Sequence, residues 1–395
     1  MKTHLLRRLL LLASLTASPV CAEPDSFIWI DVSIKAIVNP ATGLTPPQAP
    51  AGSPATAFFN DAALLECFTE MNRWLANTYR GYRLRPVDSE MNGSLFPRIG
   101  AKDDTNGPSK WYDTNLKGGG DPPNPNPALF RDAIQANKAL YKWNDNAVNL
   151  YFNNAGWSSA NLPPGATGLM QSGYSIFITD LTGSQRVAAN YKISGNLLHE
   201  VGHFFGLYHT FGKNDSDTND YIDDTAPDPG GYADGRNETS VRNTIAQFNY
   251  TKNFSQLNNA EKTLVDNTAN NAMSYIQLFY DDPPQGKVLS DAERFGPTRF
   301  VFTEKQMDVW ADWANHPDRR MTASGTMRFI DASADFAGFG TSASPMKTLE
   351  AGITFASNTG SDILMLRPGT YTSSTISKPV TIRATRQGSV QIQKP

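Results

Sequence analysis

One string of eleven residues constrains this chain more than any other feature. Residues 199–209 read HEVGHFFGLYH and contain three of the five histidines in a 395-residue chain. The apolar spacing predicts a helix over about residues 196–208, beginning after Gly195. On a helix, positions four apart are neighbours, with Cβ atoms about 5–6 Å from each other. His199 and His203 can therefore aim both imidazoles at one ion, with Zn–N distances near about 2.0–2.1 Å. Gly206 lacks a Cβ and can take the left-handed conformation that turns the chain, which brings His209 back as a third ligand. A fourth position then stays open for water, as in a catalytic rather than a structural zinc site. Glu200 follows the first ligand and is placed to accept that water's proton. The alternative, a helix with a surface histidine pair, needs neither Gly206 nor His209. Their presence lowers the odds of coincidence roughly a thousandfold against average residue usage. Leu197, Leu198, Val201, Phe204, Phe205 and Leu207 make the flanks apolar, and unpaired imidazoles are costly to bury in such surroundings.

The rest of the composition bounds the setting of this string. At 395 residues with 39% hydrophobic residues, the chain has room for two or three domains. With 30 Gly and 26 Pro, collagen-like, disordered and polytopic membrane classes are disfavoured. The formal charge of -3 includes Lys2, Arg7 and Arg8, so a chain processed beyond them is more acidic still. That balance argues against a nucleic-acid partner. Residues 1–22 read as a secretory signal peptide: a basic start, an apolar run too short to span a bilayer, and Val20-Cys21-Ala22 before the expected cleavage after Ala22. No transmembrane segment is expected. Only a few residues then precede the first strand, so no long N-terminal propeptide is expected either. Processing would remove Cys21 and leave Cys67, in a helical pattern with Phe68, Met71, Leu75 and Tyr79, as a packed core thiol.

Patterning predicts a strand over residues 27–38, helices over 62–79 and 128–143, strands over 147–152 and 174–179, and loops over 101–127 and 214–234. A helix over residues 302–314 should start at Thr303, with Gln306 completing a capping box. Composition changes near Ser324. A short helix over residues 345–357 is followed by strands at 362–366, 379–384 and 389–393, and Lys378-Pro379 recurs as Lys394-Pro395. This segment resembles the first coil and capping helix of a right-handed parallel β-helix. Two coils fall short of the roughly three repeats a solenoid needs, so the segment must lean on what precedes it or belong to a chain that ends early.

The histidine string is the metzincin signature H-E-x-x-H-x-x-G-x-x-H. Its extension to Phe211, HEVGHFFGLYHTF, resembles the pappalysin branch, the family of pregnancy-associated plasma protein-A. Residues 219–225 (NDYIDDT) are similar to that family's acidic segment, with Ala226 where Pro is usual. Asn271-Ala272-Met273-Ser274-Tyr275 resembles its Met-turn, and residues 302–320, with Gln306 and Arg319-Arg320, resemble its closing segment. The resemblance covers about residues 27–320. It implies an α+β metzincin-like zincin: an α/β-type upper subdomain with a mixed twisted sheet, an active-site helix, and a Met-turn that places Met273 beneath the zinc. It implies that Tyr275 approaches the metal and hydrogen-bonds the reacting substrate, and that an extended substrate lies along an edge strand, placed here between residues 164 and 171.

Loop-bridging cysteines of many relatives are missing here, so the 214–234 loop must be held otherwise. Asp215, Asp217, Asn219, Asp220, Asp223 and Asp224 are candidates for a structural calcium site, which the family resemblance supports; a solvated acidic loop is the alternative. His316, in an Asn-His-Pro-Asp turn, has no proposed role. The expected organisation is a signal peptide at 1–22, a catalytic domain at 23–323 and a β-helix-like segment at 324–395. The expected activity is that of a secreted zinc endopeptidase acting on proteins or peptides. Two other readings fit less well: a surface or glycan-binding protein with a structural zinc site, and a zinc hydrolase of non-peptide amides or esters. Residues 324–395 would shield the site or contact a surface or glycan.

Overall fold

A computed structural model describes residues 27–44, 61–88, 97–112, 127–152, 168–171, 175–178, 190–211, 218–230, 238–274, 302–336, 338–372, 375–385 and 388–393. The signal-peptide reading, Asp215, Asp217 and Tyr275 lie outside these residues.

The main sheet is built on β1 (Ile28–Ile37). Its neighbours are β2 (Tyr82–Val87), β3 (Arg98–Ile99), β4 (Val148–Phe152), β5 (Gly168–Gln171) and β6 (Ser175–Ile178), in the order β2-β1-β4-β6-β5 with β3 also on β1. All pairs are parallel except β5 with β6, which is antiparallel. The sheet is therefore mixed. β1 is buried along nearly its whole length because a central parallel strand is covered on both faces. Pro86 is tolerated in β2 because that strand forms an edge of the sheet and needs no ladder bond on its outer side. The polar alternation of β2 gives no strong strand signal in the sequence.

On one face, Ile28, Ile30, Val32, Ile34 and Ala36 pack against α1 (Asp61–Ala76) and α3 (Asn190–Phe204). In α1 the buried residues Cys67, Phe68, Met71, Trp74 and Leu75 form the stripe expected of a helix lying on a sheet. Cys67 is a buried thiol outside any disulfide, as its pattern predicts. On the other face, Ile37, Ile99 and Tyr151 pack with Phe130 and Ile134 of α2 (Pro127–Ala136). α2 is shorter than its pattern suggests, because residues from Asn137 onward form turns.

Two further helices, α4 (Glu238–Tyr250) and α5 (Asn259–Ala269), bury their own small cluster around Val241, Ile245 and Val265. α5 leads directly into residues 271–274. After them come α6 (Glu304–Asn315) and α7 (Pro317–Arg320). Thr303 caps α6 and Gln306 completes the capping box, as expected. His316 caps α7 by accepting from the Asp318 amide at 3.3 Å.

The last segment contains β7 (Met327–Ile330), α8 (Leu349–Phe355), β8 (Ile363–Leu366), β9 (Gly369–Thr372), β10 (Thr381–Ala384) and β11 (Val390–Gln393). β7, β8 and β10 form one parallel sheet, and β9 pairs in parallel with β11. The change in composition near Ser324 does not interrupt the core. Met327, Phe329, Ile363 and Met365 belong to the same apolar cluster as Phe205, Met273 and Trp310. Residues 322–324 also bond to β1: Asp31 donates to the Thr322 carbonyl at 2.9 Å and Ser324 to that of Trp29 at 2.8 Å. No helix among the described residues is long and apolar enough to cross a membrane.

Candidate metal centre

α3 carries His199, Glu200 and His203, but it begins at Asn190, earlier than the sequence suggests. Gly195 lies inside the helix instead of before it. A glycine within a helix costs only about 1 kcal/mol, and tertiary packing overrides that preference here: Leu197, Leu198, Val201 and Phe204 are all buried. The helix ends at Phe204, and Gly206 then takes φ +82°, the left-handed turn that its place in the motif requires. A Cβ there would lie 2.0 Å from Trp313 Nε1, so the glycine is needed for space as well as for backbone angle. Arg319 closes the same corner. Its Nε donates to the Phe204 carbonyl at 2.5 Å, and its guanidinium lies 4.9 Å from the Phe204 ring centre and 4.8 Å from that of Trp313. Nothing in the spacing of Trp313 marks this contact in advance.

The three imidazoles converge. His203 Nε2 lies 3.0 Å from His209 Nε2, which lies 3.2 Å from His199 Nε2. The other ring nitrogens of the two helical histidines are occupied: His199 Nδ1 bonds the Ala272 carbonyl and His203 Nδ1 that of Leu207, each at 2.7 Å. A carbonyl can only accept, so those nitrogens carry the protons and both Nε2 lone pairs face the centre. Burial, with added repulsion from His203, pushes His199 down to about 3. His203 falls to about 4 through burial, and His209 lies well below the ordinary value for the same reason and because of its two neighbours. The imidazoles are thus held neutral, the form that binds metal.

Ligand nitrogens on a tetrahedral zinc are about 3.3 Å apart, given bonds of about 2.0–2.1 Å. The observed spacing fits that requirement, and neutral lone pairs this close repel unless a cation or proton lies among them. Among the described residues these three form the one group of His, Cys, Asp or Glu gathered closely enough to hold a metal, with ligand atoms within 4.8 Å of one another. Glu200 is 5% exposed, and burial raises its carboxyl to about 8. A cation nearby acts in the opposite direction and favours the carboxylate.

Met273 is fully buried and lies against α3 at Gly202, where a Cβ would come within 2.6 Å of its Sδ. Of the candidate calcium ligands, Asn219, Asp220, Asp223 and Asp224 lie among the described residues. Asp224 accepts from Thr303 Oγ1 at 2.6 Å and from the Lys305 amide at 3.0 Å. Asp223 pairs with Lys305 Nζ at 2.7 Å, and Asp220 accepts from Thr225 at 2.7 Å and from Gln306 Nε2 at 3.2 Å. Burial lifts Asp220 to about 6 despite these bonds. Asn219 turns its oxygen onto the Tyr221 amide at 2.8 Å. Three carboxylates therefore spend oxygens on the N-terminus of α6 and on their own loop.

Residues 139–275 match the family model described as pregnancy-associated plasma protein-A. Extracellular metalloprotease 1 of Coccidioides posadasii is 32% identical over 111 residues, covering 26% of this chain and 40% of that protein. An extracellular metalloprotease of Colletotrichum graminicola is 32% identical over 109 residues, covering 26% and 38%. The chain thus spans about 40% of the length of these curated relatives. Residues 139–275, which hold the three converging histidines and Met273, are thus similar to the metzincin-like pappalysin metallopeptidases.

Proposed function

We propose that this protein is a secreted zinc-dependent endopeptidase that hydrolyses peptide bonds of protein substrates. The observation that carries the reading is the convergence of His199, His203 and His209, with the outer ring nitrogens of His199 and His203 tied to carbonyls. Zinc held by these three would supply Lewis acidity, polarising a carbonyl and bringing the pKa of a water toward about 7. Glu200 takes the water's proton as general base and returns it to the leaving amine as general acid. Met273 forms the apolar floor under the histidines. Tyr275, two residues on, is assigned to the oxyanion from the resemblance alone. An extended substrate pairs with β5, the last strand of the main sheet and a neighbour of α3.

Secretion is supported by the N-terminal signal pattern and by relatives named extracellular metalloproteases. For the acidic loop we favour α6 over calcium as the support, since the oxygens of Asp220, Asp223 and Asp224 are engaged there. The parallel pairing of β8 with β10 and of β9 with β11 supports a β-helix-like start for the final segment.

The test is hydrolysis of casein or gelatin, with and without 1,10-phenanthroline, beside a zinc assay. Wild type should bind one zinc per chain and cleave until chelated, whereas Glu200→Gln should keep the zinc and lose nearly all cleavage. Undiminished proteolysis by that variant overturns the assignment. Zinc without proteolysis points to a structural site, and turnover of non-peptide amides or esters alone points to a different hydrolase.

A further inference from the structure

His199 and His203 are positioned by the helix that carries them, but His209 follows the glycine turn and has no helix to hold it. The residue after it, Thr210, is fully buried and fastened twice. Its amide donates to the Met273 carbonyl at 3.3 Å, and its hydroxyl donates to Asp228 Oδ2 at 2.7 Å. The same oxygen accepts from Ser274 Oγ, beside Met273, at 3.3 Å. Asp228 Oδ1 accepts from the Gly230 amide at 2.9 Å, and the Asp228 amide donates to the Thr218 carbonyl at 2.7 Å. Asp228 and Ser274 are also fully buried.

A carboxylate is an expensive group to bury, and simple filling of space would be served by an apolar side chain. An aspartate is favoured where one short side chain must accept from several donors at once. Here the donors come from the segment just past His209, from the turn containing Met273, and from its own loop. The turn already holds the first ligand, because the Ala272 carbonyl accepts from His199 Nδ1 at 2.7 Å. Asp228 therefore refers the third ligand to the same turn that orients the first.

We propose that Asp228 is a positioning residue for the metal centre: through Thr210 and Ser274 it sets where His209 stands relative to His199 and His203. The inference rests on the zinc reading above and adds to it a residue outside the motif. The full-length chain is tested as wild type, Asp228→Asn and Thr210→Val. Thr210→Val removes one hydroxyl with little change of shape, so it carries the test should Asp228→Asn fail to fold. Zinc affinity is measured by competition with a chromogenic chelator, the visible absorption of the cobalt(II)-substituted protein reports ligand geometry, and thermal unfolding of the metal-free protein reports stability. Ile353→Ala, in the separate C-terminal cluster, serves as a control for general destabilisation.

The expected result is a loss of zinc affinity of about 10- to 100-fold in both variants, the range seen when a ligand's supporting contact is removed. An altered cobalt spectrum should accompany it, and Ile353→Ala should show neither change. Affinity within twofold of wild type in the folded variants overturns the proposal. So does an equal loss in Ile353→Ala at matched stability. A wild-type protein that binds no zinc instead overturns the metal-centre reading itself, before any variant is compared.

Discussion

Gly206 and Lys35 show what single positions demand. At Gly206 a β-carbon meets Trp313 Nε1 at 2.0 Å and Cδ1 at 2.1 Å, and the backbone stands at φ +82°. Gly206→Ala should therefore cost about 2 to 4 kcal/mol, combining left-handed strain with overpacking, and weaken zinc binding by moving His209. Urea unfolding of the metal-free variant checks the first part; wild-type stability would refute the clash. Lys35 is fully buried on β1, with its ammonium 5.3 Å from the centre of the Tyr151 ring and bonded to Asn149. Burial pushes it down to about 7, against a smaller upward pull from Asp88. The folded group is neutral above about pH 7, whereas the unfolded one stays charged to about 10.4. This penalty on folding is thus complete below pH 7 and fades as pH rises toward 10, because the unfolded chain then binds the extra proton. Lys35→Met leaves Asn149 Oδ1 still accepting from the Asn144 amide at 2.9 Å, so it should stabilise the protein near neutrality. That advantage should shrink by roughly 3 kcal/mol between about pH 6.5 and pH 9.5. Urea titrations at both pH values decide it; an advantage independent of pH refutes the buried charge.

At the scale of elements, α6 joins regions far apart in the chain. Its N-terminus receives Asp224 and Gln306 bonds Asn271, next to the turn of Met273, at 2.9 Å. In its middle Trp310 stacks on Phe205 with ring centres 4.6 Å apart, and at its end the Asn315 amide donates to the Met327 carbonyl of β7 at 2.6 Å. The helix and its cap are legible in the sequence from Thr303 and Gln306, since capping is a local exchange between a side chain and a nearby amide. The partner of the cap is not legible, because Asp224 arrives from a loop whose composition suits a calcium site equally well. Asp224→Ala should cost about 1 to 2 kcal/mol, the size of a lost helix cap, seen as a lower Tm. Adding millimolar calcium to calcium-free wild type should leave the Tm unchanged; a clear rise would make the loop a calcium site after all.

For the whole molecule, the question is whether residues 324–395 can be removed. Met327, Phe329, Ile363 and Met365 are fully buried in the cluster that also contains Phe205 and Trp310. At about 1.5–3 kcal/mol for each side chain, their loss amounts to roughly 6–12 kcal/mol, an upper bound. That is comparable to the entire stability of an ordinary domain, about 5–15 kcal/mol. Arg80 adds a link across the same region, pairing with Asp308 at 2.6 Å and lying 5.7 Å from the centre of the Phe329 ring. A chain ending at Ser324 should therefore be insoluble or unfold far below the full-length protein. Retention of the full-length Tm, measured by circular dichroism, would show that the segment is an independent appendage.

What the sequence by itself determined is local: the helix through His199 and His203, the glycine turn toward His209, the cap of α6 and the central strand β1. Helical spacing, a missing Cβ and an alternating pattern act over a few residues and leave their mark there. Tertiary structure alone decided the rest. It tied His199 to the Ala272 carbonyl, brought Trp313 beneath Gly206, set Asp228 between Thr210 and Ser274, and carried the apolar core across the change in composition at Ser324. Each of these contacts joins segments distant in the chain, and packing between distant segments leaves no periodicity in either one.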